Sequence, residues 1–502
     1  MQNNPLTAID FYKADHRSQY PEGTEYVYSN FTPRSDRLAK EKILASYDNG
    51  EVVFFGLQYF IKEFLEDSWN HFFFYRPKSK VIEEYCHRMN TALGPGAITV
   101  EHIEALYDLG YLPIEIRALP EGTKVPIGVP VLTIKNTHPD FFWLTNYLES
   151  VMSAYLWHPM TSATIADIYR RLLDDFCDRT GGDPNFVPFQ GHDFSFRGMS
   201  GLQSAMMSGG GHLTSFCGTD TVPAIDFMEH YYNADAAEEV IGMSVPATEH
   251  SVMSLGSKAG EYETFKRLIT EVYPGGIVSI VSDTWDLWQV CDDYLPRLKD
   301  KICNRDGKVV IRPDSGNPVD IICGDVYAPP ETPEAKGVME LLWDVFGGTI
   351  NEKGFKVLDS HIGVIYGDSI TLDRAYAILS RLELAGFAST NIVFGIGSYT
   401  YQHVTRDSFG FAMKATWGQV NGESRDIFKD PVTDRGDKKS LCGLLQVHRN
   451  ENGVLQVYDR CPTEELGLLQ PVWRDGTFER ETNLSDIRDR VRATYVHAEK
   501  TA

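Results

Sequence analysis

Four aspartates, Asp220, Asp283, Asp314 and Asp368, each close a short apolar run at a polar or glycine-containing turn: Gly218-Thr-Asp220-Thr, Ser282-Asp283, Arg312-Pro-Asp314-Ser-Gly316 and Gly367-Asp368-Ser369. One aspartate in a turn is ordinary, because its side chain caps helices and turns. Four in one series, if they face a single cleft, can hold a metal, ribose hydroxyls or a hydrogen-bonding ligand. A further run ends at Gly395-Ile-Gly397-Ser398, a turn whose N–H groups can cradle phosphate, and the basic residues Arg406, Lys414 and Lys429 follow it. His192-Asp-Phe194-Ser-Phe196-Arg197-Gly198 sets aromatic rings beside a cation; strand alternation predicts Phe194 and Phe196 on one face and Arg197 on the other, whereas an irregular loop here would let a ring stack against the guanidinium. Of the histidines, His250 stands out by its setting, Ser244-Val-Pro-Ala-Thr-Glu249-His250-Ser, a small-residue turn with an adjacent carboxylate able to tune an imidazole.

The elements that position these residues are readable from about Ser279 onward. Apolar β-branched runs at Val278–Ser282, Lys308–Arg312, Ile362–Tyr366 and Ile392–Phe394 alternate with helical spacing over Trp285–Leu295, Pro333–Phe346 and Leu372–Ala385. That order is β-α-β-α-β-α-β, which predicts a parallel sheet with helical crossovers. Because the polar turns all follow strands, a β/α barrel with its site on the post-strand loops is favoured. Upstream, Leu213–Cys217 reads as another strand ending at Gly218-Thr-Asp220, so the barrel begins near residue 190. Strands at Glu51–Phe55 and Val131–Ile134 and a helix around Phe142–Tyr155 give the first part an α+β character. The expected division is residues 1–185 as an N-terminal α+β domain, 186–400 as an irregular β/α barrel, and 401–502 as a C-terminal segment packing back on the N-terminal domain.

Composition excludes several classes. With 502 residues, 42% hydrophobic and 12% aromatic, the chain can bury a large core and is not generally disordered. Lys plus Arg number 47 against 70 acidic residues, a formal charge of −23, so binding of nucleic acid by bulk charge is not expected. The eight cysteines lie apart with no C-x-x-C pair, which predicts free thiols and names no metal-ligating residue. No apolar stretch reaches membrane-spanning length and no signal-like segment opens the chain, so a cytoplasmic protein without membrane association is expected.

Taken in order, the segments Asp10-Phe-Tyr12-Lys13 with His16 and Gln19-Tyr-Pro21, His192 to Gly198, Gly218-Thr-Asp220-Thr, Ser244 to Ser251, Val281-Ser-Asp283, Ile311-Arg-Pro-Asp314-Ser-Gly-Asn-Pro318, Gly367-Asp368, Thr405-Arg406-Asp407 and Phe428-Lys429-Asp430-Pro431 resemble the nicotinamide phosphoribosyltransferase family, from Asp10 to about Arg449. The resemblance implies a type II phosphoribosyltransferase fold. It also implies transfer of the phosphoribosyl group of phosphoribosyl pyrophosphate to the ring nitrogen of nicotinamide, giving nicotinamide mononucleotide and pyrophosphate for NAD salvage. Phe194 and Tyr12 then match two rings that clasp the pyridine, the tyrosine coming from the partner subunit of a homodimer with shared sites. Asp220 matches the carboxylate that accepts from the amide NH₂, with Ser244 and Ser279 as further substrate contacts. Arg197, Arg312 and Asp314 match residues near the ribose and phosphates; Gly367, Asp368, Gly397 and Ser398 match the 5′-phosphate and ribose site; Arg406, Lys414 and Lys429 close on phosphates. His250 matches a histidine phosphorylated by ATP, with Asp283 and Glu249 as its orienting or charge partners, and Mg²⁺ is expected to travel on the pyrophosphate oxygens.

Two departures stand out. Where relatives carry a glycine run this chain reads Gly397-Ser398-Tyr399-Thr400, so a serine hydroxyl takes the place of one N–H donor, and Tyr327–Gly354 aligns poorly and receives no function. The nearest alternative is a nicotinate phosphoribosyltransferase, which Asp220 argues against because it would repel a carboxylate. A non-catalytic nucleotide or sugar-phosphate sensor is the other, against which the phosphorylatable His250 argues.

Overall fold

The computed structural model describes residues 4–42, 47, 49–429 and 441–493. Six strands, Gly218–Thr219, Gly191–Asp193, Ile392–Ile396, Ile362–Tyr366, Gly307–Arg312 and Gly276–Val281, lie side by side in that order, all parallel. Apolar β-branched residues dominate these strands because crossover helices cover them; Val278, Ile280, Val309, Ile311, Ile362 and Val364 are buried. An extended segment closes the curl. Met243 bridges in parallel to Gly218 at one edge, and Ala247 bridges to Ser279 at the other. Ser279 N–H donates to the Pro246 carbonyl at 2.8 Å and Thr248 N–H to the Ser279 carbonyl at 2.9 Å. The small-residue stretch from Ser244 is thus an irregular closing strand rather than a turn, and Pro246, which has no N–H, sits where only a carbonyl is used.

A second, antiparallel sheet has seven strands in the order Glu423–Asp426, Ala412–Val420, Thr24–Thr32, Leu132–Asn136, Ile114–Ala118, Gln470–Arg474 and Thr477–Phe478. Strands from beyond residue 401 therefore flank, on both edges, three contiguous strands from the first 140 residues. Between the two sheets runs the helix Glu149–Thr180, whose middle is buried almost all round. At 1.5 Å per residue it is about 48 Å long. A contiguous apolar core joins both sheets through this helix.

Two local readings need correction. Leu213–Cys217 is not a strand: the helix Leu202–Leu213 runs through its start and the strand is only Gly218–Thr219. That helix carries Gly209-Gly210-Gly211, poor helix formers on propensity alone, but a Cβ at Gly211 would lie 2.8 Å from the Ala163 nitrogen, so close packing on the long helix dictates the glycine. The strand before Phe194 likewise stops at Asp193, whose Oδ1 accepts from the Ser195 N–H at 2.9 Å and turns the chain. Phe196–Gly198 is then a 3₁₀ turn, and alternation no longer separates Phe196 from Arg197. The Tyr327–Gly354 stretch holds the helical segment Pro333–Phe346, kinked at the non-helical Gly337 (φ 74°), and a strand, Gly348–Ile350, paired with Lys356–Leu358.

Candidate active site

Because the strands are parallel, their C-terminal ends open on one side. There Phe194, Arg197, Asp220, Arg312, Asp314 and Gly367 line one cleft of about 410 Å³. Phe194 is seated on glycine: a Cβ at Gly395 would lie 2.4 Å from its ring, and one at Gly367 would meet Asp314 Oδ1 at 2.8 Å and the ring at 3.4 Å. The flat ring rests on bare backbone at both positions. Gly198 packs equally closely on Ser398, where a Cβ would come within 1.9 Å of Oγ. This contact ties the 3₁₀ turn bearing Arg197 to the Gly397-Ser398 turn, while the space beside Gly397 is open.

Behind Phe194 and Asp220 a second cavity of about 420 Å³ enters the barrel, past His192, Ser244 and Ser279. Ser279 Oγ is buried with no hydrogen-bond partner among the described residues. Small side chains leave this room: Gly218, Ala247 and Gly363 also face it. Asp220 stands at the junction of the two spaces. His192 Nε2 lies 2.9 Å from its Oδ1, and the Ser244 hydroxyl donates to the same oxygen at 2.5 Å. Burial pushes this carboxyl up, but these two hydrogen bonds, together with the charges of His192 and Arg312, outweigh it and hold the group below its ordinary value. Asp220 is therefore an anion with Oδ2 left to a ligand.

Across the cleft, Asp283 organises the loops after two adjacent strands. Its Oδ2 accepts from the Asp314 N–H at 2.9 Å and the Ser315 hydroxyl at 2.5 Å, while its Oδ1 is buried with no partner among the described residues. His250 opens the helix His250–Leu255; its Nδ1 lies 3.1 Å from Thr284 Oγ1, and its Nε2 is 3.9 Å from both Asp283 Oδ1 and Asp314 Oδ2. Glu249 is engaged elsewhere, accepting from Ser251 Oγ. Arg312 donates to the Thr248 carbonyl and keeps a buried Nε without a partner among the described residues.

The Asp314 carboxyl is pushed above its ordinary value, by burial first and then by the anions of Asp283 and Asp368, with Arg312 and His250 opposing. A step that needs Asp314 ionised is then lost as pH falls through this raised value. Asp368→Asn removes one raising charge, so the acid limb of kcat/KM is expected to shift to lower pH even as the maximum falls. A limb that stays in place or moves up contradicts this assignment.

The remaining sequence-predicted residues lie on another surface. Tyr12 is 59% exposed and packs against His16 and Lys13, and it lines neither cavity. Lys13 is buried in an ion pair with Glu149, the first residue of the long helix. Lys414 lies on the strand opposite Asn30 and feels the charges of Arg34, Lys13 and Lys429. Burial first, and then those three cations, hold its ammonium below the ordinary value against the pull of Glu149. Arg406 stands apart, exposed and paired with Asp407 at 2.9 Å. The sequence reading gave no role to Arg34, Glu149 or Lys13, although Lys13 follows Tyr12 directly; only the pairing of Thr24–Thr32 with Ala412–Val420 brings them together. Asp430 and Pro431 lie outside the described residues.

A curled parallel half-barrel with aspartates and arginines on its C-terminal loops, packed on an antiparallel sheet, is the type II phosphoribosyltransferase fold. A solved nicotinate-nucleotide pyrophosphorylase from Pyrococcus furiosus has this architecture, with a TM-score of 0.57 at 15% identity, covering 98% of this chain and 97% of that one. Residues 189–460 match the model of the nicotinate phosphoribosyltransferase (NAPRTase) family, and residues 4–69 match that of the nicotinamide phosphoribosyltransferase N-terminal domain. Two curated relatives carry the name nicotinamide phosphoribosyltransferase. One, from Acinetobacter baylyi, is 58% identical over 496 residues, 97% of either chain. The other, from Mycoplasma pneumoniae, is 34% identical over 463 residues, 90% of this chain and 97% of its own length. The chain belongs to the nicotinate phosphoribosyltransferase family, in its nicotinamide phosphoribosyltransferase branch. Among the described residues no helix is long and apolar enough to cross a membrane.

Proposed function

We propose that this enzyme moves the phosphoribosyl group of phosphoribosyl pyrophosphate onto nicotinamide, forming nicotinamide mononucleotide and pyrophosphate in NAD salvage. The observation that carries the reading is Asp220: an anion fixed through one oxygen by His192 and Ser244, beside the face of Phe194. A neutral carboxamide donates to the remaining oxygen, whereas a carboxylate is repelled. In the reaction the pyridine nitrogen forms a bond to the anomeric carbon as the bond from that carbon to pyrophosphate breaks, the electron pair leaving with pyrophosphate. Positive charge grows on the sugar and passes to the pyridinium; Asp314 faces the first, while Arg197 and Arg312 face the phosphates. Competition between nicotinamide and nicotinate for one pool of phosphoribosyl pyrophosphate tests the assignment, and preference for nicotinate overturns it.

Asp283 and Asp314 form a hard-oxygen donor set, with an orphan buried oxygen on Asp283, that fits Mg²⁺. Carried mainly on the pyrophosphate, the ion would meet these carboxylates and neutralise the leaving group. The second half of the site, Tyr12 with Lys13, Arg34, Lys414 and Lys429, is offered to the cleft of another copy in a homodimer. The pyridine then lies between Phe194 and the Tyr12 ring of that copy, and the cations meet the phosphates.

His250 is the acceptor in an ATP-dependent step. Thr284 engages Nδ1, leaving Nε2, between Asp283 and Asp314, to form the phosphorus–nitrogen bond as the bond from the γ-phosphorus to ADP breaks. Incubation with γ-labelled ATP is expected to leave acid-labile label on the wild-type protein and none on His250→Ala. Label that survives in this variant removes His250 from the role.

A further inference from the structure

At the N-terminal end of the parallel sheet, opposite the cleft, Cys303, Asp359 and His361 come together although the first is far from the others in sequence. Cys303 is the last residue of the helix Leu295–Cys303 that leads into the strand Gly307–Arg312. Asp359 and His361 occupy the turn before the neighbouring strand Ile362–Tyr366. These strands pair with Ile362 opposite Val309, and the Val309 N–H donates to the His361 carbonyl at 2.8 Å, which ties the turn to the incoming chain. One donor atom from each residue, a sulfur, a carboxylate oxygen and an imidazole nitrogen, lies within 4.8 Å of the other two, and all three residues are partly buried.

We propose that Cys303, Asp359 and His361 form a transition-metal site of the zinc type that clips the helix end to the turn. A tetrahedral zinc centre takes sulfur at about 2.3 Å and imidazole nitrogen or carboxylate oxygen at about 2.0–2.2 Å, so its donors sit roughly 3–4 Å apart, a spacing these groups reach by small side-chain rotations. One thiolate and one carboxylate cancel the charge of a divalent ion, the thiol proton passing to solvent as the metal–sulfur bond forms. The turn is already organised, since Asp359 Oδ1 accepts from the His361 N–H at 2.9 Å and lies 2.6 Å from His361 Nδ1. On binding, the ion takes the place of the proton shared between Asp359 Oδ1 and His361 Nδ1, so that both groups ligate it and the ring's other nitrogen is left to solvent. Lys299 and Lys308 act on the same carboxylate, so a hard cation held by charge alone is disfavoured against an ion bound through sulfur and imidazole. The clip would join two strands whose opposite ends carry Arg312 and Asp314, and Gly367 and Asp368.

The test is Co²⁺ titration of the full-length, chelator-stripped protein. One equivalent is expected to give the near-ultraviolet thiolate charge-transfer band and the visible bands of a tetrahedral centre, and one equivalent of Zn²⁺ to abolish them and raise the unfolding temperature. Cys303→Ser is expected to lose the charge-transfer band and the thermal shift while nicotinamide turnover is kept. His361→Asn, which preserves volume and polarity, is expected to weaken Co²⁺ binding at least tenfold. A charge-transfer band that persists in Cys303→Ser, unchanged affinity in His361→Asn, or absence of the band in the wild-type protein overturns the proposal.

Discussion

Asp220→Asn is expected to lower the ratio of kcat/KM for nicotinamide over nicotinate by about 100-fold, with most of the change arising from faster turnover of nicotinate. Two unit charges about 4 Å apart repel by about 4 kcal/mol at the effective dielectric of a protein surface. The Asp220 side chain is 44% exposed, and screening reduces that to roughly 2–3 kcal/mol, or about two decades in rate ratio. Asparagine keeps its one oxygen for the carboxamide by turning its NH₂ toward Ser244, whose hydroxyl can accept, so the loss for nicotinamide itself is smaller. His192→Ala separates charge from positioning: the carboxylate remains but loses one of the two hydrogen bonds that fix Oδ1. It should therefore cost nicotinamide turnover without admitting nicotinate. Parallel initial-rate assays with both pyridines read the ratio directly, and a ratio unchanged in Asp220→Asn would remove the residue from substrate selection.

The barrel was legible where periodicity alone decides structure. Ile362–Tyr366 has the bounds read from the sequence, and Pro333–Phe346 has them too but is broken by a kink at Gly337 (φ 74°), because a buried strand and an amphipathic helical stretch carry their own patterns whereas a glycine break within one does not. The aspartate series was legible for a related reason: a polar residue that ends an apolar run at the same end of successive parallel strands must share a surface with the others. What stayed hidden is held by contacts between remote segments. Gly395 and Gly367 looked like turn formers, yet each is needed so that the Phe194 ring can rest on backbone. The closing segment from Met243 to Thr248 has too few ladder bonds and an internal proline, so no strand pattern marks it. The cation cluster depends on the register that places Lys414 opposite Asn30. Arg34 and Glu149 carry no local signature that would gather them there.

The separation of Phe194 from Tyr12 yields an expected result that a single-chain site cannot give. Tyr12→Ala and Phe194→Ala each remove one ring from the pyridine clamp, and each variant alone is expected to retain only a few per cent of wild-type activity, since a stacking face worth about 1–2 kcal/mol and the alignment of the nucleophile are lost together. If the two rings of one site come from different chains, a mixed dimer places both substitutions in one site and leaves the other intact. Random association makes half of the dimers mixed, so co-expression of the two variants restores about a quarter of wild-type activity. Two chains that each held a complete site could not complement, because every site would then carry one defect. The same logic applies to the charged half: Lys414→Ala should be rescued by co-expression with Arg312→Ala but not with Lys429→Ala, which shares its surface. Activity that stays at the level of the separate variants in the Tyr12 and Phe194 mixture, with mixed dimers verified by two affinity tags, would place the clamp within one chain and overturn the shared site.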